Sequence, residues 1–412
     1  MLKLYVPALF AGTALVILTF ALPSAAQQAP TADELLAHAK SVYSSSGSAA
    51  ALPEYEKALA VYRALGNRHG EAVTLGLIGN CYKHLGDRTR ALDFLDRALK
   101  LKQELGDRLE EGKTISNIGL VYWEAGDYPK AIDLFNRAIA IAQEVHNVQL
   151  EGSALNNLSL VYDDKGEYKR SLEQYQRALA LHRAGNYREG ESDALGNIGG
   201  VYLLLGHYSD AIDYYQQALA IDEHLDRKPA QSQDLGNLAI CQAAIGQLDD
   251  SVKTFDRALS LAASTGLKKE EADWRKGRAS TLLRLGRFDD ALHEYRTALT
   301  SYEKAGLKRE LVEALYDDGY VHLMLGDRSS AEHSFQRAIQ VAKQISFSRG
   351  VLMNTLALAD LAWRSGDLGK AIASANQVVE RARRLGDQVD TVSGLLILSL
   401  SLRDSGSMKQ AL

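Results

Sequence analysis

The segment from Ile115 to Ile141 reads ISNIGLVYWEAGDYPKAIDLFNRAIAI. On both sides of Gly126, apolar and small residues recur every three or four positions, which is the spacing of one face of an α-helix. Gly126 is expected to end the first helix, because glycine adopts left-handed backbone angles at a helix C-terminus without strain. Asp127 can cap the next helix. The segment therefore predicts two antiparallel helices of roughly four turns, about 24 Å long, with Tyr122 and Phe135 filling the space between them.

Glycine recurs at the position of Gly126 every 40 residues, at Gly86, Gly126, Gly166, Gly206, Gly246, Gly286, Gly326, Gly366 and Gly406. Alanine or serine follows five residues later, and alanine recurs twelve residues later in the first seven copies. Asp87, Asp327 and Asp367 stand where Asp127 does. Because one helix pair cannot bury its apolar face alone, copies must stack on each other. The sequence predicts an all-α array of helix pairs.

This pattern resembles the tetratricopeptide repeat family. The family usually has Trp in the first helix, where this chain has Leu or Ile, and a period of about 34 residues. The longer period resembles the subclass found in kinesin light chains and in many bacterial sensor and scaffold proteins. The resemblance implies a right-handed α-solenoid whose first helices line a concave face. The residues that carry it are Ile118-Gly119, Tyr122, Gly126, Ala131, Phe135 and Ala138.

The repeats cover residues 31–412. A degenerate first repeat occupies 31–65, eight full repeats occupy 66–385, and an incomplete last repeat occupies 386–412. The sequence ends on Ala411-Leu412, the first apolar positions of a second helix. Since solenoids finish with a polar capping helix, we expect the native chain to continue. Family members often continue into an effector, for instance a caspase-like protease or a kinase.

The N-terminus predicts export. Residues 1–26 combine Lys3, an apolar run and the small residues Ser24-Ala25-Ala26, which is typical of a cleaved signal peptide. Residues 27–30 form a short segment before the repeats. The mature protein would be periplasmic or extracellular and not membrane-bound. The alternative is a retained N-terminal anchor, because the apolar run is long enough to span a bilayer.

Composition and motifs argue against several classes of function. A net charge of −5 gives no basic surface for nucleic acid. The two cysteines, Cys81 and Cys241, share one repeat position four repeats apart, so we expect two buried thiols and no disulfide. Cys81 and His84 are three residues apart, but His84 should face outward, which argues against a catalytic dyad. We expect no metal, no cofactor and no enzymatic activity.

A candidate partner site is an asparagine series on the predicted concave face: Asn117, Asn157, Asn197 and Asn237. An asparagine amide can both donate to and accept from a peptide backbone unit. Gly196 and Gly236 precede two of them and suggest that a ligand needs room there. Lys113 and Trp123 are further candidates at the groove edge, where Trp123 is equally compatible with packing. Leu203, Leu204 and Ile240 predict an apolar centre, with Asp163, Asp193 and Asp273 on one flank.

The function that follows is an exported, non-catalytic scaffold that binds a protein or peptide in the concave groove. The alternative is the sensory or substrate-docking arm of a longer enzyme. One repeat departs from the pattern, since Arg275 and Arg278 stand where other copies have Leu or Ile. Because burying unpaired charge is costly, we expect the first helix of residues 266–305 to be rotated or loosely packed.

Overall fold

A computed structural model describes residues 30–407. Within that range the chain forms eighteen α-helices and no strand. From α2 onward the helices begin every 20 residues. The helices are α1 Ala32–Ala64, α2 Arg68–His84, α3 Arg88–Glu104, α4 Arg108–Glu124, α5 Tyr128–Glu144, α6 Val148–Asp164, α7 Tyr168–Ala184, α8 Arg188–Leu204, α9 Tyr208–His224, α10 Lys228–Ala244, α11 Leu248–Thr265, α12 Lys268–Arg284, α13 Phe288–Ala305, α14 Lys308–Met324, α15 Arg328–Gln344, α16 Ser348–Arg364, α17 Leu368–Leu385 and α18 Gln388–Asp404.

The turn inside each repeat has the predicted geometry. Gly126 has φ of +74°, and the amide of Asp127 donates to the carbonyl of Tyr122 at 2.9 Å. The Asp127 side chain accepts from the amide of Lys130 and so caps α5. Equivalent side-chain caps at Asp87, Asp327 and Asp367 confirm the prediction for those repeats as well.

The turn between repeats has the same closure and is not obvious from the sequence. Its left-handed residue is glycine in some copies and is His146, Asn186, Asp226 or Ser346 in others. The amide of Asn147, for example, donates to the carbonyl of Ala142 at 2.8 Å. Histidine, asparagine and aspartate tolerate this conformation better than most residues. Two left-handed turns per repeat therefore produce the 20-residue alternation.

The space between the two helices of a repeat is filled from the second helix. Phe135 is fully buried, and a Cβ added at Gly119 would lie 2.7 Å from its ring, so the small residue is required there. The prediction for Phe135 is confirmed. Tyr122 and the equivalent Tyr202 are only half-buried, and Tyr202 stacks on Tyr214 with ring centroids 5.4 Å apart. Tyr122 and Tyr202 thus cover the core instead of filling it.

The chain divides into two compact units at Asp107 and Arg108. In the first unit, over residues 30–107, α1 consists of two helical segments that meet at Gly47, which has φ of +78°. The second segment buries Ala51, Tyr55 and Ala58 against its surroundings, as a degenerate repeat would. Cys81 is a free, buried thiol in this unit.

The second unit, over residues 108–407, contains α4–α18. Each helix packs on the next, and first helices also contact the first helix of the following repeat, as α6 does α8 and α8 does α10. Such contacts place the first helices on the inner side of this unit. Cys241 is free and buried here, so the expectation of two unpaired core thiols is confirmed. The predicted α-solenoid of antiparallel helix pairs is thereby observed.

The prediction for Arg275 and Arg278 is wrong in its premise, because neither charge is unpaired. Glu294 accepts from Arg275 at 3.0 Å and from Arg278 at 3.1 Å. Glu271 and Asp256 each bind one of the two arginines as well. An ionic network thus replaces the apolar contacts of the other repeats, and α12 keeps the regular 17-residue length.

The predicted signal peptide, residues 1–26, lies outside the described residues, as do residues 408–412 at the other end. Within residues 30–407, no helix is both long enough and apolar enough to cross a membrane.

Candidate functional site

The second unit has a groove of about 550 Å³ that crosses three consecutive repeats. The first helices α6, α8 and α10 supply most of its wall, and second helices contribute Tyr175, Tyr215 and Asp222. Of the residues predicted from the sequence, the structure brings together Asn157, Asn197, Asn237, Asp163, Asp193, Leu203 and Leu204. Three of the four predicted asparagines and two of the three flanking aspartates are therefore parts of one surface.

Two of the three asparagines in the groove have side chains without a hydrogen-bond partner among residues 30–407. Asn197 and Asn237 lie one repeat apart and half-buried, and among the described residues nothing hydrogen-bonds to their amides. Asn157 differs, because its Nδ2 donates to Ser116 Oγ at 3.1 Å. Asn197 and Asn237 are therefore the pair able to engage a ligand without breaking a bond of the folded chain.

The other predicted site residues lie outside this groove. Asn117 is half-buried on α4. Lys113, also on α4, is exposed and paired with Glu110 at 2.7 Å. The indole Nε1 of Trp123 donates to Asp164 Oδ2 at 2.7 Å. Trp363 repeats this bond with Asp404 at 2.8 Å. Because the same bond occurs in two repeats, Trp123 ties one first helix to the next, which favours the packing interpretation.

The interpretation of Gly236 as room for a ligand is wrong. A Cβ added there would lie 2.5 Å from Cδ2 of Trp274, whose ring already occupies the space. Gly196 differs, because it lines the groove and its Cβ would meet only Asp234 Oδ1, at 3.3 Å. Gly236 thus allows the first helix of the following repeat to approach. Ile240 and Asp273 also lie outside the groove, and Asp273 accepts from Tyr302 and Lys269.

Sequence reasoning missed two buried carboxyl groups, Asp222 and Asp234, which are 1% and 7% exposed. The signal was available in the repeat alignment. Asp234 stands where the two preceding repeats have Ala154 and Ala194, and Asp222 stands where other second helices have alanine, as at Ala262. Charged residues are almost never buried at such positions without a partner or a function.

Arg227 partly neutralises this acidic cluster. Its guanidinium donates to Asp222 Oδ1 at 3.0 Å and to Asp193 Oδ1 at 2.7 Å. Burial raises the pKa of Asp222 despite this ion pair. Burial, reinforced by the charge of Asp222, raises the pKa of Asp234 to about 8. The groove therefore contains a carboxyl group, that of Asp234, which titrates near neutral pH.

Asp163 forms the opposite end of the acidic wall. Its Oδ2 accepts from the phenol of Tyr175 at 2.9 Å, and its Oδ1 is buried without a partner among the described residues. Burial raises the pKa of this carboxyl group. Its unused acceptor atom leaves capacity for a further donor.

The family profile of the tetratricopeptide repeat matches seven overlapping segments, 33–104, 71–144, 110–184, 150–224, 190–264, 230–304 and 270–344. The chain belongs to the tetratricopeptide repeat family. The resemblance inferred from the repeated Gly, Ala and aromatic positions is thereby confirmed. Solenoids of tetratricopeptide repeats are characteristic of protein-interaction scaffolds.

Several solved structures share this tetratricopeptide repeat fold. A signal transduction ATPase with a tetratricopeptide repeat sensor, from Pyrococcus horikoshii, matches with a TM-score of 0.59 and 14% identity over 79% of this chain and 51% of its own. A Rap protein in complex with competence and sporulation factor has a TM-score of 0.54 and 14% identity, covering 83% of this chain and 99% of its own. The apo quorum sensor NprR of B. thuringiensis has a TM-score of 0.54 and 18% identity, covering 74% and 86%. No curated protein matches the chain.

The surroundings of Cys81 and His84 in this tetratricopeptide repeat array disfavour a catalytic dyad. Burial raises the pKa of the Cys81 thiol, which disfavours a nucleophilic thiolate, and His84 is exposed. Among residues 30–407, no group of three or more His, Cys, Asp and Glu side chains is arranged to hold a metal ion.

Proposed function

We propose that this protein is an exported, non-catalytic scaffold that binds an extended segment of a partner protein along the groove of α6, α8 and α10. The free amides of Asn197 and Asn237, one repeat apart in a single groove, are the observation that carries the proposal. An amide side chain can pair with both the N–H and the C=O of a peptide unit. Successive repeats would therefore hold the backbone of a ligand at intervals.

The similar structures support this proposal at the level of the fold. The Rap protein was solved in complex with competence and sporulation factor, and NprR is a quorum sensor. Both carry out recognition with an arrangement of helices like the one seen here. Export rests on residues 1–26 and is tested by the N-terminal sequence of the protein recovered from outside the cytoplasm, where the proposal requires Gln27 as the first residue.

The binding test compares Asn197→Ala/Asn237→Ala with Arg137→Ala/Arg177→Ala. The asparagines line the groove, whereas both arginines are exposed on second helices. Pools of nonapeptides with random flanks are titrated against each variant, with fluorescence anisotropy as the readout. Each lost backbone pair should weaken binding by about 0.5–1.5 kcal/mol, so the asparagine variant should bind about 5- to 100-fold more weakly. Equal affinity of both variants would show that the peptide does not bind in the groove.

A second candidate is the sensor arm of a longer enzyme. It is favoured by the similarity to the ATPase of Pyrococcus horikoshii, of which this chain covers 51%. Reading the coding frame beyond the codon for Leu412 distinguishes the two candidates. A catalytic domain encoded there would favour the sensor arm, and a stop codon would favour the free-standing scaffold.

A further inference from the structure

The groove is strongly acidic. Its wall includes Asp163, Asp193, Asp222 and Asp234, and among the described residues no Lys, Arg or His lines it. Arg227 lies behind the wall and binds two of the four carboxyl groups. The surface left for a ligand thus has an excess of negative charge, which favours a cationic group.

Several acceptor atoms along this wall are buried and have no partner within residues 30–407. They are Asp163 Oδ1, Asp234 Oδ2 and Asn156 Oδ1. The phenol of Tyr215, which is 1% exposed, also lacks a partner and lines the same groove. Buried polar atoms are nearly always hydrogen-bonded in folded proteins, so the three unpartnered acceptor atoms favour a ligand that supplies a donor.

The buried carboxyl group of Asp234 is not required for the packing of the repeats. Alanine occupies the position of Asp234 at Ala154 and Ala194, and these neighbouring repeats pack normally. Burial and mutual repulsion penalise the ionised form of Asp234 in the free chain. A group retained at a cost to stability is typical of a functional site.

We propose that this groove accepts a lysine or arginine side chain of the bound segment beside Asp193 and Asp234. The inference rests on the proposed function, because the asparagines would hold the backbone that delivers the basic side chain. Lysine and arginine carry several N–H donors and a positive charge, so they satisfy the unpartnered acceptors and the excess charge together. Charge-assisted bonds of this kind are about twice as strong as neutral ones.

The test uses defined peptide pools and the full chain. Nonapeptides with random flanks carry arginine, lysine, citrulline, alanine or glutamate at the central position, and fluorescence anisotropy gives the affinity of each pool. Citrulline has nearly the shape of arginine without its charge. We expect the arginine and lysine pools to bind about 10-fold more tightly than the citrulline and alanine pools, and the glutamate pool to bind most weakly.

Variants assign the preference to the groove. Asp234→Asn and Asp193→Asn should each reduce the ratio of arginine to citrulline affinity, whereas the exposed second-helix variant Asp213→Asn should leave it unchanged. The ratio is used because a structural defect would weaken both pools alike. Asp193→Asn changes an exposed carboxylate and gives a variant whose folding does not depend on a buried group.

The outcomes separate this inference from the proposed function. Pools that bind equally, and still require Asn197 and Asn237, overturn the basic subsite and leave the scaffold in place. If no pool binds, both fall. Calorimetry with Ca²⁺ alone provides the remaining arm: heat that disappears in Asp234→Asn, without any preference for basic pools, would assign the acidic cluster to a metal ion and overturn the inference.

Discussion

The indole ring of Trp274 lies directly against the backbone of Gly236, at the point where a Cβ would be 2.5 Å from ring atom Cδ2. The ring is almost fully buried, and its Nε1 donates to Ser232 Oγ at 3.2 Å. Trp274 therefore joins α12 to α10 by packing and by a hydrogen bond. A glycine that the sequence suggested as an opening for a ligand is instead filled by the next repeat.

Gly236→Ala should destabilise the chain. Overpacking a buried contact costs about 1–3 kcal/mol, and the better helix propensity of alanine returns up to about 1 kcal/mol. Gly200→Ala is the matched control, because its Cβ would meet nothing closer than Tyr215 Oη at 3.7 Å. That change should be neutral or stabilising. Denaturant midpoints measure both, and a stabilised Gly236→Ala would show that the ring does not hold this position.

His182 should make stability depend on pH. The side chain is fully buried, both ring nitrogens lack partners among the described residues, and burial lowers its pKa although Glu191 and Asp193 oppose the shift. Below about pH 6.5 the imidazole of His182 therefore binds a proton in the unfolded chain but not in the folded chain. The free energy of unfolding should fall as the pH falls below this value. Denaturant titrations between pH 5 and pH 8 should show this loss.

His182→Phe provides the comparison, because phenylalanine fills a similar volume and does not titrate. Its stability should change less between pH 6.5 and pH 5 than that of the parent chain. His224→Ala removes an exposed histidine and should leave the slope unaltered. Parallel pH curves for the parent chain and His182→Phe would contradict the prediction.

Asp234→Ala should stabilise the chain, and more so at high pH. The folded-state pKa of about 8 lies above the unfolded value, so any contribution of this group is present at acidic pH and is lost as pH rises through 8. We expect a gain of about 1–3 kcal/mol at pH 8.5 and a smaller one at pH 5. The same carboxyl predicts that affinity for the arginine pool rises from pH 6 to pH 8. An equal gain in melting temperature at both pH values would argue against a neutral buried carboxyl.

Glu294→Gln should destabilise the second unit by about 1–3 kcal/mol, because it leaves the Arg275 and Arg278 side chains without their shared partner in a half-buried site. Asp290→Asn removes an exposed ion pair with Arg287 and should cost well under 1 kcal/mol. Thermal melts of the two variants test the difference. Similar melting temperatures would mean that the network adds little to the packing of α12.

The helices could be predicted because their determinants are local. Gly126 and Asp127 mark a turn by chemistry that a sequence displays, and the recurrence of that pair removed the ambiguity of a single copy. The turns at His146 and Asn186 could not be predicted from the sequence, because these residues adopt left-handed backbone angles only where the flanking helices enforce them. The half-buried position of Tyr122 could not be predicted for a similar reason, since spacing gives the face of a helix but not the depth of burial.

The candidate site was only partly predictable. Asn157, Asn197 and Asn237 share a repeat position, and the solenoid geometry brings them to one surface. Trp123 could not be separated from a ligand anchor, because its bond to Asp164 spans two repeats. Asp234 could not be predicted from the repeat pattern, because the pattern contains only what the copies share and Asp234 is a position at which one copy differs.

The identical closure of the two turns in each repeat has an evolutionary consequence. Removing residues 147–186, for instance, would join His146 to Tyr187, which follows an equivalent left-handed residue in the present chain. Duplication or loss of 40 residues therefore creates no new kind of junction between neighbours. The length of such an array therefore changes in whole repeats. Each step adds or deletes one inner-side position equivalent to Asn197, so the number of such positions changes together with the length of the array.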